Sequence, residues 1–127
     1  MKIVVLLPAT PLELFAALTD SKRISRWSGQ KGNVEPNVGG ELEMFDGWVK
    51  GKVLAYKPGK ALAYTWLPGD WDDEVKSTVR YKFTPAGKDT KVILTHEGFP
   101  NEKERTNHRD GWYEFVLHPL KEYFQRD

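Results

Sequence analysis

Two histidines are the residues of this chain whose chemistry could serve a function. His96 ends the last alternating apolar segment and faces inward, and His108 lies four residues before Trp112 on one face of a helical segment. Because histidine titrates near neutral pH, the two rings could act as acid and base, or could bind a carboxylate or phenol of a ligand. Alternatively both are structural, with His96 fixing the following loop through hydrogen bonds. We predict that both lie near one end of a common cavity, and that His118 faces solvent.

Metal and thiol chemistry are not predicted. The chain has no cysteine, and no third histidine or inward carboxylate joins His96 and His108 to complete a metal site. The acidic loop at residues 70–74 lacks the ligand spacing of an EF-hand, so we interpret it as a solvated loop. Its Trp71 could be a lid or an anchor for a partner, or could pack back on the strands. We predict no catalytic residue, cofactor or metal.

The composition is that of a globular protein with an excess of aromatic area. The 127 residues suit one domain, 1–127, with 39% apolar and 29% charged residues. Nineteen basic and eighteen acidic residues give a formal net charge of +1, so nucleic acid is not an expected partner. No apolar run approaches the ~20 residues of a membrane span, and the apolar start is too short for a secretory signal, so we expect a cytoplasmic protein. Five tryptophans, six phenylalanines and five tyrosines fill either a bulky core or a lined pocket.

The first quarter of the chain predicts one strand and two short helices. Residues 2–7 are mostly β-branched and apolar, as in a strand. Thr10, Pro11 and Glu13 then form a complete helix start, in which Glu13 closes a capping box. Asp20 can cap a second helix. The residues predicted to be buried on these helices are Leu12, Phe15, Ala16, Leu18, Ile24 and Trp27.

From residue 33 the hydrophobic period changes to two, which predicts a meander of antiparallel strands. Turn signals interrupt it at residues 46–47, 57–60, 67–70 and 84–87. One face of the predicted sheet is apolar and the other is charged, so it needs a cover on one side only. The outward basic residues could meet an acidic protein surface, or could serve solubility and edge protection. They are Lys50, Lys52, Arg80, Lys82 and Lys91.

The last quarter, residues 101–127, predicts one long amphipathic helix that covers the apolar face. Asn101 and Glu104 supply its N-cap. Gly111 and Pro119 disfavour a helix interior, so we expect a bend near residues 115–119. The bend would leave a cavity beneath the helix, or would follow a curved sheet. The predicted inward residues are His108, Trp112, Phe115, Val116, Pro119, Leu120 and Tyr123, with Asp110, Leu117 and Lys121 opposite.

These elements add up to an α+β domain: a strand, two short helices, an antiparallel sheet of six to seven strands, and a long C-terminal helix that the sheet wraps. Residues typical of one known family occur in order along the chain. They are Pro8, Phe15, Thr19, Trp27, Gly39-Gly40, Gly51, Val53, Pro58, Leu62, Trp66, Thr84-Pro85, Gly87, Thr90, Val92, Leu94-Thr95-His96, Gly98-Phe99 and Gly111-Trp112. The order of elements resembles the helix-grip fold of the START-like, birch-pollen-allergen-like (SRPBCC) superfamily. The residues resemble the family named for the activator of heat-shock protein 90 ATPase, in its C-terminal domain, from which Pro119 is a departure.

The leading hypothesis is a helix-grip domain that binds a small hydrophobic or aromatic molecule between the sheet and the helix. The predicted lining consists of Trp66, Val79, Tyr81, Leu94, His96, His108, Trp112, Phe115 and Val116. A core without a cavity would argue against this hypothesis. We expect a monomer or a homodimer.

Two alternatives stay open. The resemblance implies a protein-binding module of co-chaperone type, acting on heat-shock protein 90 through the basic face and the Trp71 loop. These 127 residues do not include the N-terminal domain that the eukaryotic co-chaperone also uses, so we place this hypothesis second. The third is a cyclase or hydrolase in the same cavity, with His96 or His108 as general base and Tyr81 or Tyr64 as hydrogen-bond donor.

Overall fold

Seven antiparallel strands form one sheet, in the order β1-β7-β6-β5-β4-β3-β2, in the computed structural model, which describes residues 1–125. The predicted α+β architecture and the predicted strand number are confirmed. The strands are β1 (Lys2–Leu7), β2 (Asn33–Val34), β3 (Glu41–Met44), β4 (Val49–Lys57), β5 (Ala61–Pro68), β6 (Ser77–Ala86) and β7 (Asp89–Glu97).

Two short helices, α1 (Pro11–Thr19) and α2 (Ser21–Ser28), follow β1 as predicted. The capping box of α1 is present, since the Thr10 hydroxyl accepts from the Glu13 N–H and a Glu13 carboxylate oxygen accepts from the Thr10 N–H. The prediction that Leu12 is buried was wrong, because it is 64% exposed. It lies on the first turn, where its side chain covers Gly59, and the next apolar residue, Leu14, faces the core instead.

The sheet has one buried and one exposed face because apolar side chains alternate with polar ones along its central strands. Along β6 buried residues alternate with exposed or half-buried ones from Ser77 to Thr84. On the buried face, the Tyr81 ring meets Trp112 of the C-terminal helix edge to face. The register sets Val79 opposite His96 and Tyr81 opposite Leu94. The inward residues of the last strands are therefore assigned as predicted.

The C-terminal helix is continuous in path but changes its hydrogen-bond register in the middle. It consists of α3 (Glu102–Gly111), a π-helical segment (Trp112–Leu117) and α4 (His118–Gln125). Gly111 and Pro119 flank the π-helical segment, where the His118 N–H bonds to the Tyr113 carbonyl, five residues before it. The bend near residues 115–119 stays a prediction. The predicted helix also includes residues 126–127, which lie outside the described residues.

The π-helical segment explains why two residues were predicted on the wrong face of the helix. Phe115 was predicted to face inward and is 52% exposed, whereas Leu117 was predicted to face outward and is 3% exposed. An extra residue in the turn rotates the following positions relative to a regular α-helix, so a period of 3.6 residues misplaces both. Trp112 is packed inward and His118 is exposed, as predicted. No helix among residues 1–125 is long and apolar enough to cross a membrane.

Candidate functional site

His96 lies fully buried at the end of β7 and is bonded at both ring nitrogens. The Trp112 indole N–H donates to Nδ1 at 3.1 Å, and Nε2 is 3.1 Å from the Ser77 hydroxyl oxygen. Because an indole nitrogen can only donate, Nδ1 must be the acceptor and the ring proton sits on Nε2. The Ser77 hydroxyl in turn donates to the Trp66 carbonyl. This chain of bonds ties β7, β6, β5 and the helix together.

His108, on α3, is bonded in a similar way. The Trp66 indole N–H donates to its Nε2 at 3.2 Å, and its Nδ1 lies 3.1 Å from the Glu104 backbone oxygen. The proton therefore sits on Nδ1, which donates to that carbonyl. The rings of His96 and His108 are 5.3 Å apart, edge to face, so the structure brings the two histidines together. That both line one cavity stays a prediction.

Both histidines are held neutral by their surroundings. Burial, followed by the nearby His108 and the N-terminal amine, lowers the pKa of His96 to about 3. Burial also lowers the pKa of His108, although the Glu104 carbonyl and the carboxylates of Glu104 and Asp70 oppose that shift. A neutral ring at each position is what the two indole donors require.

The two tyrosines considered as donors bond to each other. Their hydroxyl oxygens, on Tyr64 and Tyr81, are 3.0 Å apart in the buried core. Burial raises the pKa of both phenols, so both are neutral at physiological pH.

Trp71 is buried against the C-terminal helix, whereas the packing alternative placed it on the strands, and its role as a lid stays a prediction. It is 8% exposed, and its ring lies 4.9 Å from that of His108. Its indole N–H donates to a Glu104 carboxylate oxygen at 2.9 Å. Glu104 therefore links α3 to the loop before β6, while its backbone N–H is capped by Asn101.

The space between the sheet and the helix is an open groove of about 290 Å³ at one end of the interface. Five residues of the predicted lining contribute to it: Trp66, His108, Trp112, Phe115 and Val116. The other four are buried in the core beneath and support its floor; they are Val79, Tyr81, Leu94 and His96. The lining also includes Phe45, Trp48, Asp70, Glu104, Asn107 and Gly111, which sequence reasoning missed.

The missed aromatic residues belong to the turn between β3 and β4. Phe45, Asp46 and Gly47 all have positive φ, at 53°, 59° and 87°. This left-handed run redirects the chain, and Phe45 reaches the Trp66 ring at a centroid distance of 6.2 Å. The predicted turn at Asp46-Gly47 is confirmed. A period-two pattern does not predict the direction of the aromatic side chains within the turn itself.

The predicted outward basic residues are all exposed: Lys50, Lys52, Arg80, Lys82 and Lys91. A second depression, of about 590 Å³, lies near Lys50 and Lys52 and also includes Glu41 and Glu43 in its lining. Its lining also includes Lys76, so three lysines face two glutamates and the formal balance is one positive charge.

Comparison with known proteins supports the resemblance over nearly the whole chain. Residues 8–125 match the family described as "Activator of Hsp90 ATPase homolog 1-like protein". The mouse protein "Activator of 90 kDa heat shock protein ATPase homolog 2" is 27% identical over 99 residues, covering 78% of this chain and 30% of the mouse protein. An uncharacterized protein of Schizosaccharomyces pombe is 24% identical over 112 residues, covering 88% of this chain and 33% of its own. The chain thus spans about a third of the length of these relatives.

Two solved structures are similar to this chain over nearly its whole length. An HSP90 activator from Plasmodium falciparum is 28% identical with a TM-score of 0.84, covering 93% of this chain and 90% of its own. A protein from Mesorhizobium loti is 27% identical with a TM-score of 0.83, covering 99% and 98%. These likenesses confirm the helix-grip fold, and the match over residues 8–125 shows that the chain belongs to the activator of Hsp90 ATPase homologue 1-like family.

Proposed function

We propose that this chain is a binding module whose groove, between the β3–β4 turn and the C-terminal helix, takes up a small apolar or aromatic molecule. The observation that carries the proposal is the exposure of two large aromatic side chains at the groove, with Trp48 46% and Phe115 52% exposed. Exposed aromatic area gathered at a concave site is typical of recognition surfaces. The two come from different elements and lie beside a floor formed by Trp66 and Trp112, whose rings are 5.0 Å apart.

The backbone at Phe45 supports the same proposal. A bulky residue with φ of 53° is unusual and costs conformational energy. Asp46 offsets that cost, because its N–H bonds to the Lys31 carbonyl at 2.9 Å and its carboxylate accepts from the Lys31 N–H at 2.7 Å. A strained residue that its neighbours hold firmly, beside a groove, is a common feature of ligand sites.

Binding without catalysis is favoured by the state of the histidines. Each ring has both nitrogens engaged within the protein, His96 with Trp112 and Ser77, and His108 with Trp66 and Glu104. A general base needs a nitrogen within hydrogen-bond reach of the substrate, so using either ring would first require breaking a buried bond. The space offered is an open groove rather than an enclosed cavity, and its volume lies near the lower end of the ~300–1,000 Å³ usual for ligand sites.

Titration with indole, a neutral aromatic probe, tests the proposal. We expect backbone amide shifts in the NMR spectrum of the labelled protein to change around residues 45–48 and 104–116. Phe115→Ser should weaken indole binding by about 10-fold, because it removes an aromatic wall. The matched control is Leu54→Ser, since Leu54 is 42% exposed but lies outside the groove. Equal weakening by both variants, or shifts confined to another surface, would contradict the proposal.

A second candidate function is action on heat-shock protein 90, and the relatives are the observation that favours it. The mouse protein, at 27% identity, is described as a homologue of the activator of this ATPase, and the Plasmodium falciparum structure, at 28% identity, as an HSP90 activator. Exposed Arg80 and Lys82 on β6 supply a basic surface for an acidic partner.

The ATPase rate of heat-shock protein 90 from the same organism, with and without this chain, tests the second candidate. We expect stimulation that the double variant Arg80→Glu/Lys82→Glu reduces, whereas Lys103→Glu on α3 does not. An unchanged ATPase rate over a wide range of chain concentration would rule this function out.

A further inference from the structure

The charge of the groove distinguishes it from an ordinary apolar site. Among residues 1–125, its lining contains two acidic residues, Asp70 and Glu104, and no lysine or arginine. The remaining titratable side chain, His108, has Nε2 occupied as an acceptor from Trp66, which is the bonding of a neutral ring. The groove therefore carries net negative charge beside an aromatic wall.

Aromatic rings form both the floor and the wall of the groove. Phe45 meets Trp66 edge to face at 6.2 Å, and Trp66 lies 5.0 Å from Trp112. Trp66 and Trp112 are each 3% exposed, so they form the floor beneath the more exposed rings. Trp48 and Phe115 stand at the same groove with about half of each side chain in solvent. Aromatic faces attract cations through their quadrupole, and tryptophan does so most strongly.

The two carboxylates have the capacity to take part. Asp70 is exposed, and Glu104 uses one oxygen to accept from the Trp71 indole at 2.9 Å. A carboxylate offers about four lone-pair sites, so that bond leaves room for a further donor or a cation. The Trp71 bond also fixes the direction in which the Glu104 carboxylate points.

From this combination we infer that the groove binds a small organic cation, such as an alkylated ammonium, between its aromatic rings and the carboxylates of Asp70 and Glu104. This inference rests on the proposed function and adds the chemical class of the ligand. Neutral apolar molecules would gain only the contact with the rings. Anions would be repelled by both carboxylates, and no lysine or arginine of the described part of the chain lines the groove to offset that repulsion.

Three probes of one shape test the inference: choline, its neutral isostere 3,3-dimethyl-1-butanol, and the anion 3,3-dimethylbutanoate. Each is titrated into the labelled protein at low salt, and its Kd is read from amide shifts around residues 45–48 and 104–116. We expect choline to bind about 5-fold or more tightly than the alcohol, and the anion to bind more weakly than either. Added salt should weaken choline binding and leave the alcohol unchanged.

Charge-neutral variants make the test specific to the carboxylates. Asp70→Asn and Glu104→Gln should each weaken choline by about 3- to 10-fold and leave the alcohol unaffected. Gln at position 104 retains an oxygen for Trp71, so the fold is preserved. The matched control is Asp73→Asn, since Asp73 is an exposed acid of the same loop outside the groove.

The possible outcomes distinguish the cation inference from the proposed ligand-binding function. If the alcohol binds as tightly as choline, the cation inference is wrong while the groove remains a ligand site. Tightest binding by the anion, or loss of choline preference in Asp73→Asn as large as in Asp70→Asn, also overturns the inference. If none of the probes binds, both the inference and the proposed ligand-binding function are contradicted.

Discussion

Tryptophan joins the C-terminal helix to the sheet at two places and to the loop before β6 at a third, because it combines a large apolar body with one hydrogen-bond donor. The indole N–H groups of Trp66, Trp71 and Trp112 donate to His108, Glu104 and His96, respectively. Each bond satisfies a polar group that burial would otherwise leave unpaired. The aromatic surplus of the composition is thus used mainly to build a core with a polar network inside it.

Replacing Trp112 by phenylalanine tests that network at a single residue. The substitution keeps an aromatic ring but removes the donor to His96 Nδ1, which would remain buried without a partner. We expect Trp112→Phe to lower the free energy of unfolding by about 2 to 4 kcal/mol, from the unpaired acceptor and the lost volume. Urea denaturation followed by circular dichroism measures it.

Trp48→Phe is the control for that change, because Trp48 is 46% exposed. Its free energy of unfolding should stay within about 0.5 kcal/mol of the wild type. Equal losses in the two variants would mean that the Trp112–His96 bond contributes nothing beyond aromatic packing.

The C-terminal helix owes its π-helical segment to the spacing of its buried residues. His108, Trp112, Val116 and Leu120 recur every four residues and are all buried. Four α-helical residues turn the chain by about 400°, so such positions drift by about 40° at each step in a regular helix. A segment with i→i+5 bonds has more residues per turn, so positions four residues apart return towards the same face of the helix. The segment also precedes Pro119, whose missing N–H already interrupts the regular ladder.

Deleting Glu114 should convert this segment into regular α-helix. Val116, Leu117 and Leu120 would then follow Trp112 by three, four and seven residues, which is the spacing of an amphipathic α-helix. Glu114 is exposed, so no packed side chain is lost. We expect the variant to fold with a free energy of unfolding within about 1 kcal/mol of the wild type. Urea denaturation gives the stability, and amide NMR shifts report the helix.

Deleting Arg105 is the matched control, since it removes an exposed residue from regular α3. The deletion rotates the preceding turn by about 100° relative to His108 and separates the Glu104–Trp71 bond from the His108–Trp66 bond. We expect a loss of more than about 2 kcal/mol. If the Glu114 deletion costs as much as the Arg105 deletion, the widened turn is needed for packing and our account of it is wrong.

At the scale of the whole molecule, the sequence predicts the elements well because their signals are local. The capping box of Thr10 and Glu13 and the alternation along β6 each depend on a few neighbouring residues, and both are confirmed. The inward position of His96 follows from the same alternation.

The groove is less predictable because it depends on contacts between distant segments. Phe45 and Trp48 reach it through a left-handed turn, and Phe115, a predicted lining residue, is 52% exposed because the helix changes register. Neither the turn nor the change of helix register produces a repeating pattern in the sequence. The bond from Trp71 to Glu104 joins residues 33 positions apart, and nothing in their local sequence indicates it.

The two buried histidines make the stability of the whole molecule depend on pH. In the unfolded chain a histidine takes up a proton near pH 6.5, whereas folded His96 has a pKa of about 3. Between those values the unfolded state binds more protons, so the free energy of unfolding is largest above pH 6.5 and falls as the pH is lowered towards 3. The lowered pKa of His108 acts in the same direction.

We therefore expect the free energy of unfolding to decrease by about 2 kcal/mol between pH 7 and pH 5 from His96 alone, with His108 adding to the loss. A histidine of the unfolded chain titrates within that window, so the two buried histidines contribute directly to the slope. Urea denaturation at several pH values measures it, with His118→Gln, an exposed position on α4, as the variant that should keep the slope. His96→Asn should be less stable at pH 7 and should lose much of the slope.

Ring ¹⁵N shifts give a second readout in the wild type. His96 should stay neutral at pH 5, with its proton on Nε2. A charged His96 at pH 5, or a slope that His96→Asn leaves intact, would show that this buried network does not control the acid sensitivity of the fold.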